Sequence, residues 1–116
     1  MSLDKERGLL PLGAATFYIL VSLAQGERNG ATIAAEVEEM TDGAVTLPPA
    51  TLYRLVKELL EDGWIAEAGY DPEDQRRRFY RLTPRGRKVA TLEAGRLEEL
   101  VRVSRARRLL AASARV

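Results

Sequence analysis

Apolar residues recur along this chain at helical spacing, and polar turns mark where each such stretch ends. Between about Pro11 and Gln25, Leu12, Phe17, Ile19, Leu20, Val21 and Leu23 nearly encircle a helix that Gly26 stops. A helix apolar all round is buried on more than one side, so this one is expected to pack on its own domain and on a partner subunit. Gly26 to Gly30 reads as a polar turn. Asn29 suits the N-cap of a second helix, from about Gly30 to Thr41, because its side-chain oxygen can accept a free backbone N–H. Ile33, Val37 and Met40 share one face of that helix, and Asp42-Gly43 ends it. Ala44 to Leu47 is a short extended stretch, since a residue before proline is kept out of the helical region.

A third helix begins near Pro48-Pro49, where proline costs no hydrogen bond, and stops at Gly63. Leu52, Leu55, Val56, Leu59 and Leu60 form its apolar arc. Ala50, Arg54, Lys57 and Glu61 lie opposite, flanked by Thr51 and Tyr53. Trp64 to Ala68 and Arg76 to Leu82 read as two strands joined by the polar loop Gly69 to Gln75, a hairpin with a long charged tip. Thr83 and Pro84 then open a last helix, which Gly95 only weakens. Its apolar stripe is Val89, Leu92, Leu100, Val103 and Leu110. A single helix standing off a small domain cannot bury such a stripe alone. Arg96 and Arg107 interrupt it. Either their stems lie along the stripe with the guanidinium in water, or they pair across a dimer with Glu93 or Glu99.

Composition narrows the chemistry. With 46% hydrophobic residues in 116, the chain can build a core. It has no cysteine and no histidine. That removes disulfides, thiolate and imidazole metal ligands, and the main proton carrier of neutral-pH catalysis. Neither cofactor nor metal is expected, and the carboxylates Glu58, Glu61 and Asp62 sit at helical spacing on a solvent face rather than in a cleft. The longest apolar stretch, Ala14 to Ala24, is far short of the about 20 residues that span a bilayer. A soluble cytoplasmic protein with no membrane role is expected. Net charge is only +1, but seven basic residues and no acidic one lie between Arg76 and Lys88. Between Glu27 and Asp62 eight acids face three bases. Such segregation matters because attraction to a polyanion is local under salt screening.

The fold class that follows is mainly α with a small β-hairpin: a winged helix–turn–helix domain over residues 1–83 and a C-terminal dimerisation helix over 84–116. In that fold the second helix braces, the third enters the major groove and the hairpin is the wing. Arg54 and Lys57 can reach base edges or phosphates, and Tyr53 can donate its hydroxyl to a phosphate. Phe79 and Tyr80 read as hairpin packing rather than base-stacking groups. A winged-helix protein-interaction module without DNA binding is the competing reading; the basic wing favours DNA.

Several short motifs resemble those of the PadR family of bacterial transcriptional regulators. Leu12-Gly13 opens the first helix and Asn29-Gly30 precedes the second. Leu47-Pro48-Pro49-Ala50-Thr51-Leu52-Tyr53 is similar to the family's S-x-G-T-L-Y, and the run from Leu59 to Ile65 to its L-x-x-x-G-L-I. The run from Arg77 to Gly86 is similar to R-K-Y-Y-x-L-T-x-x-G. Ala50 stands where the family favours Gly, Ala31 where an aromatic is common, and Trp64 where leucine is usual. The resemblance implies a dimeric regulator, usually a repressor, that binds a pseudo-palindromic duplex site. It puts Thr51 and Tyr53 at DNA, with Arg76, Arg77 and Arg78 on the wing. It also implies an interface built from Phe17 and Val21 with Val89, Leu92, Leu100, Val103 and Leu110. A small-molecule effector, if one exists, is expected between the first helix and the partner's last helix, against Phe17, Val21, Leu92, Leu97 and Leu100, with Arg96 meeting an anionic group. A dry, filled junction is the alternative.

Overall fold

The computed structural model describes residues 8–111. Its elements follow the expected order: α1 Ala14–Ser22, β1 Arg28–Asn29, α2 Gly30–Met40, α3 Pro49–Asp62, β2 Ile65–Asp71, β3 Asp74–Leu82 and α4 Pro84–Ala106. Asn29 caps α2 by accepting the Thr32 N–H at 2.9 Å. Pro49 sits in the first turn of α3. Gly63 ends that helix in the left-handed region at φ 75, where a side chain would be strained.

The core fills the space between the three short helices, the base of the sheet and the start of α4. Ile19 and Leu20 of α1 meet Ile33 and Val37 of α2 there, with Leu52, Leu55, Val56 and Leu59 of α3. Trp64, Ile65, Tyr80 and Val89 close it from the other side. α1 is shorter than its apolar run because Leu12 lies ahead of it and Leu23 forms its C-cap, with the Leu23 and Ala24 N–H groups turning back to Leu20 and Val21.

The sheet has three strands, in the order β1-β3-β2, rather than a bare hairpin. Arg28 and Asn29, expected in a polar turn, pair with Tyr80 and Phe79. Two residues are too few to show a strand's alternation. Arg28 also reaches Glu36 on α2 at 2.7 Å. The wing is longer than expected: strand continues to Asp71 and resumes at Asp74, so only Pro72 and Glu73 form the turn. A register shift between Glu67 and Gly69 bends it. The outer wing stands clear of the core, so neither of its faces is apolar and the sequence shows no period there.

α4 is fastened to the start of β2. The Thr83 N–H donates to the Trp64 carbonyl at 3.1 Å. The Thr83 hydroxyl donates to the Gly63 carbonyl at 2.7 Å and accepts the Gly86 N–H at 3.0 Å. One turn on, the Arg87 guanidinium donates to the Ala24 carbonyl at 2.6 Å and so closes the chain leaving α1. Val89, expected on the dimer stripe, is instead fully buried in the protomer's own core. It shares that core with Trp64 and Ile65 of its own chain, which the helical projection could not show. Leu110, expected at the far end of the stripe, lies beyond the helix, which stops at Ala106 before Arg108 turns left-handed at φ 66.

Glu93, also on α4, is almost fully buried. Arg96 grips it with two bonds of 2.7 and 2.9 Å, one turn along the same helix. The pair therefore forms within one helix rather than across a dimer, and the Arg96 side chain remains 36% exposed to water. That guanidinium holds the Glu93 carboxyl below the usual range, against burial, which pushes it up; the Leu12 N–H adds to the lowering.

Among the described glycines, Gly86 leaves the least room for a side chain. A Cβ there would collide with the Trp64 carbonyl oxygen and lie 2.8 Å from its carbon and 3.1 Å from Leu82 Cδ1. Backbone cannot yield as a flexible side chain does. Overpacking of this kind costs typically about 1–3 kcal/mol, and Gly86→Ala is expected at or above the upper end of that range in denaturant melts. A variant as stable as the parent would show that α4 does not sit on this strand.

Candidate nucleic-acid interface

The buried arc of α3 turns its opposite face outward. Leu52, Leu55, Val56 and Leu59 are inside, while Ala50, Tyr53, Arg54, Lys57, Glu58 and Glu61 are exposed and Thr51 is half-buried. Slim residues thus occupy the first turn, and the longer polar ones follow.

An open groove of about 390 Å³ runs beside this face. Gly30 and Ala31 at the start of α2 line one side, Tyr53 the floor, and Asp74, Arg76, Arg77 and Arg78 of the wing the other. Of the candidate DNA-contacting residues, the structure brings Tyr53 and the three wing arginines around one groove. Thr51, Arg54 and Lys57 lie on α3 outside its lining. Phe79 is half-buried and pairs with Asn29, and Tyr80 is buried, where the low-dielectric core raises its hydroxyl pKa first of all, with Tyr53 and Glu67 adding to the rise.

The arginines are not free. Arg76 pairs with Asp74 at 3.3 Å, Arg77 with Asp71 at 3.6 Å and Arg78 with Glu67 at 3.0 Å. Arg78 also lies 5.0 Å from the centroid of the Tyr70 ring. On α3, Arg54 pairs with Glu58 at 3.2 Å. The basic run that begins at Arg76 therefore does not form one bare positive patch. Its compensating acids come before it in sequence: the antiparallel hairpin folds Glu67 and Asp71 against it, and Asp74 stands two residues ahead of Arg76 on the same strand. Reading charge along the chain missed all three; pairing the two strands would have found Glu67 and Asp71, and the two-residue spacing on one strand would have found Asp74. Arg87, from the same run, is spent on the Ala24 carbonyl.

Away from this surface, α1 and α4 leave apolar groups in water. Val21 and Leu100 are exposed, Leu100 by 53%, while Phe17, Leu92 and Val103 are half-buried. A cavity of about 220 Å³ lies where Leu12, Phe17 and Tyr18 meet Glu93, Arg96 and Leu97. Val21 lines a neighbouring apolar groove of about 180 Å³ instead.

Residues 19–92 match the transcriptional regulator PadR-like family. The chain belongs to that family. It is 33% identical to the transcriptional regulator Rv3488 of Mycobacterium tuberculosis over 89 residues, which is 77% of this chain and 80% of the relative. A transcriptional regulator from Clostridium thermocellum superposes with a TM-score of 0.66 at 27% identity, over 91% of this chain and 96% of that one. A PadR family transcription regulator from Clostridium difficile shares the fold, with a TM-score of 0.69 at 20% identity over 81% and 97% of the two chains. The winged-helix architecture is therefore the family's, and the chain is a regulator of transcription rather than an enzyme. Among the described residues, no helix is long and apolar enough to cross a membrane.

The groove depends on a missing side chain at its edge. A Cβ on Gly30 would collide with the Tyr53 hydroxyl and lie 2.9 Å from Cζ and 3.0 Å from Cε1. The Tyr53 ring is 50% exposed, so it can swing away. Gly30→Ala is thus expected to cost less than about 1 kcal/mol in stability, well under a rigid overpacking, yet to move the ring. Nuclear Overhauser contacts between the Tyr53 ring and the Asn29–Ala31 backbone should vanish; their survival would contradict the close packing.

Proposed function

We propose that the chain is a cytoplasmic repressor that binds double-stranded DNA as a homodimer. The observation that carries this reading is the placement of Tyr53 and Arg76, Arg77 and Arg78 around one groove beside the exposed face of α3. In this arrangement α3 enters the major groove. Thr51 and Tyr53 meet the backbone near its N-terminus, Arg54 and Lys57 reach base edges or phosphates, and the wing lies along the flanking strand.

The arm of α4 from Leu92 onward, with Leu92, Leu100 and Val103, would bury its apolar side against Phe17 and Val21 of a second copy. Dimerisation would cover groups that one chain leaves in water. The first turns of α4 then belong to the winged core and the rest to the interface. A two-fold protein calls for a pseudo-palindromic site with half-sites about 34 Å apart. The cavity beside Phe17 and Leu97 would admit a small effector. Because Glu93 already takes Nε and one arm of the Arg96 guanidinium and balances its charge, an apolar ligand fits it better than an anion.

Binding is read on a duplex selected by the chain from a random-sequence pool. Affinity should fall steeply with salt, because each neutralised phosphate contributes a slope of about 0.9. Replacing Arg76, Arg77 and Arg78 together by Ala should weaken binding to every sequence and flatten the slope. Arg54→Ala should instead lose discrimination between sites, by about 1–3 kcal/mol where it reads a base edge. Unchanged affinity and slope in the wing variant would remove the wing from the DNA contact.

A further inference from the structure

We propose that Glu67, Asp71 and Asp74 set the sequence discrimination of the wing, by holding its arginines in ion pairs that are exchanged for phosphates only when a duplex is fully seated. This rests on the reading of the wing as a DNA contact.

Between Glu67 and Arg78 the wing carries four carboxylates and three guanidinium groups. That outer part of the wing is therefore net acidic, although it supplies the arginines nearest the groove. Each of those arginines has its own carboxylate, at 3.0 to 3.6 Å. Arg54 on α3 follows the same pattern with Glu58. Non-specific association with DNA is driven by unpaired positive charge acting on the phosphate backbone. Wing arginines closed in ion pairs offer little of that field, and the spare carboxylate, Glu73, repels.

A seated duplex changes the balance. With α3 docked, phosphates are fixed beside the groove at no further orientational cost. Exposed ion pairs contribute little to stability, so an arginine can leave its carboxylate for a phosphate held in reach. Arg78 starts close to its place, held between the Tyr70 ring and Glu67. The carboxylates thus lower affinity for any backbone and do so least where the fit is best.

Asp71 and Asp74 also accept the Glu73 and Arg76 N–H groups through Oδ1, at 2.9 and 3.0 Å. Asparagine keeps that acceptor and removes the charge, so the turn survives the test. The variant Glu67→Gln/Asp71→Asn/Asp74→Asn is compared with the parent by fluorescence anisotropy across a salt series. The probes are the selected duplex and a shuffled duplex of the same length. Affinity for the shuffled duplex is expected to rise about tenfold with a steeper salt slope, and that for the selected duplex by no more than about threefold, so discrimination falls. Glu67→Gln alone leaves the turn untouched and should shift both affinities in the same direction by less. An unchanged or lower affinity for the shuffled duplex, or equal rises on both, overturns the proposal. The arginine-to-alanine wing variant separates the two readings. If it leaves both affinities unchanged, the wing does not touch DNA. If it weakens both while the carboxylate variants leave discrimination intact, only this inference fails.

Discussion

The contact of Gly86 with the Trp64 carbonyl decides where every projecting part of this protein points. α3 ends at Gly63, β2 begins at Ile65, β3 returns at Leu82 and α4 starts at Pro84. Recognition helix, wing and arm therefore meet within a few residues of one another. Thr83 bonds to the backbone at both Gly63 and Trp64, and the absence of a side chain at Gly86 lets α4 close on the strand. Val89 then enters the core one turn later. The wing thus leaves and returns through the joint on which α4 is seated.

Charge is handled differently in the two halves of the molecule. At the α1–α4 junction a single carboxylate is taken out of water and held by Arg96. Removing one partner from such a site leaves a buried charge uncompensated, which is far costlier than losing a surface pair. Around the groove the pairs are open to water and individually weak. The first arrangement fixes a helix in place; the second leaves guanidinium groups available to a stronger anion. A modest net charge of +1 is thus no obstacle to a polyanion partner.

Helices were legible because each has a buried face with its own period. Asn29, Pro49, Gly63 and Thr83 marked their limits, and the order of elements with the motif runs pointed to the winged fold. What escaped was decided by contacts between distant segments. Arg28 and Asn29 become a strand only because Phe79 and Tyr80 lie beside them. The outer wing is a ladder with no buried face, so polarity concealed it. Val89 sits on the same helical stripe as Leu100, and only packing tells that one faces the protomer's own core and the other water. The groove was half visible: the sequence pattern brought Tyr53 and the wing arginines forward as candidates, but Glu67 and Asp71, which balance two of them, became apparent only when the hairpin was folded.

Two-fold seating of α3 on duplex DNA is the central claim, and hydroxyl-radical footprinting combined with sedimentation tests it most directly. On a selected duplex, two chains per site should protect two patches related by symmetry, with centres about 34 Å apart on the helix axis. Leu100→Glu, which charges the exposed side of the arm, should sediment as a monomer and lose the paired footprint while keeping its fold. One chain protecting a single patch, or binding without any preferred site, would contradict the claim.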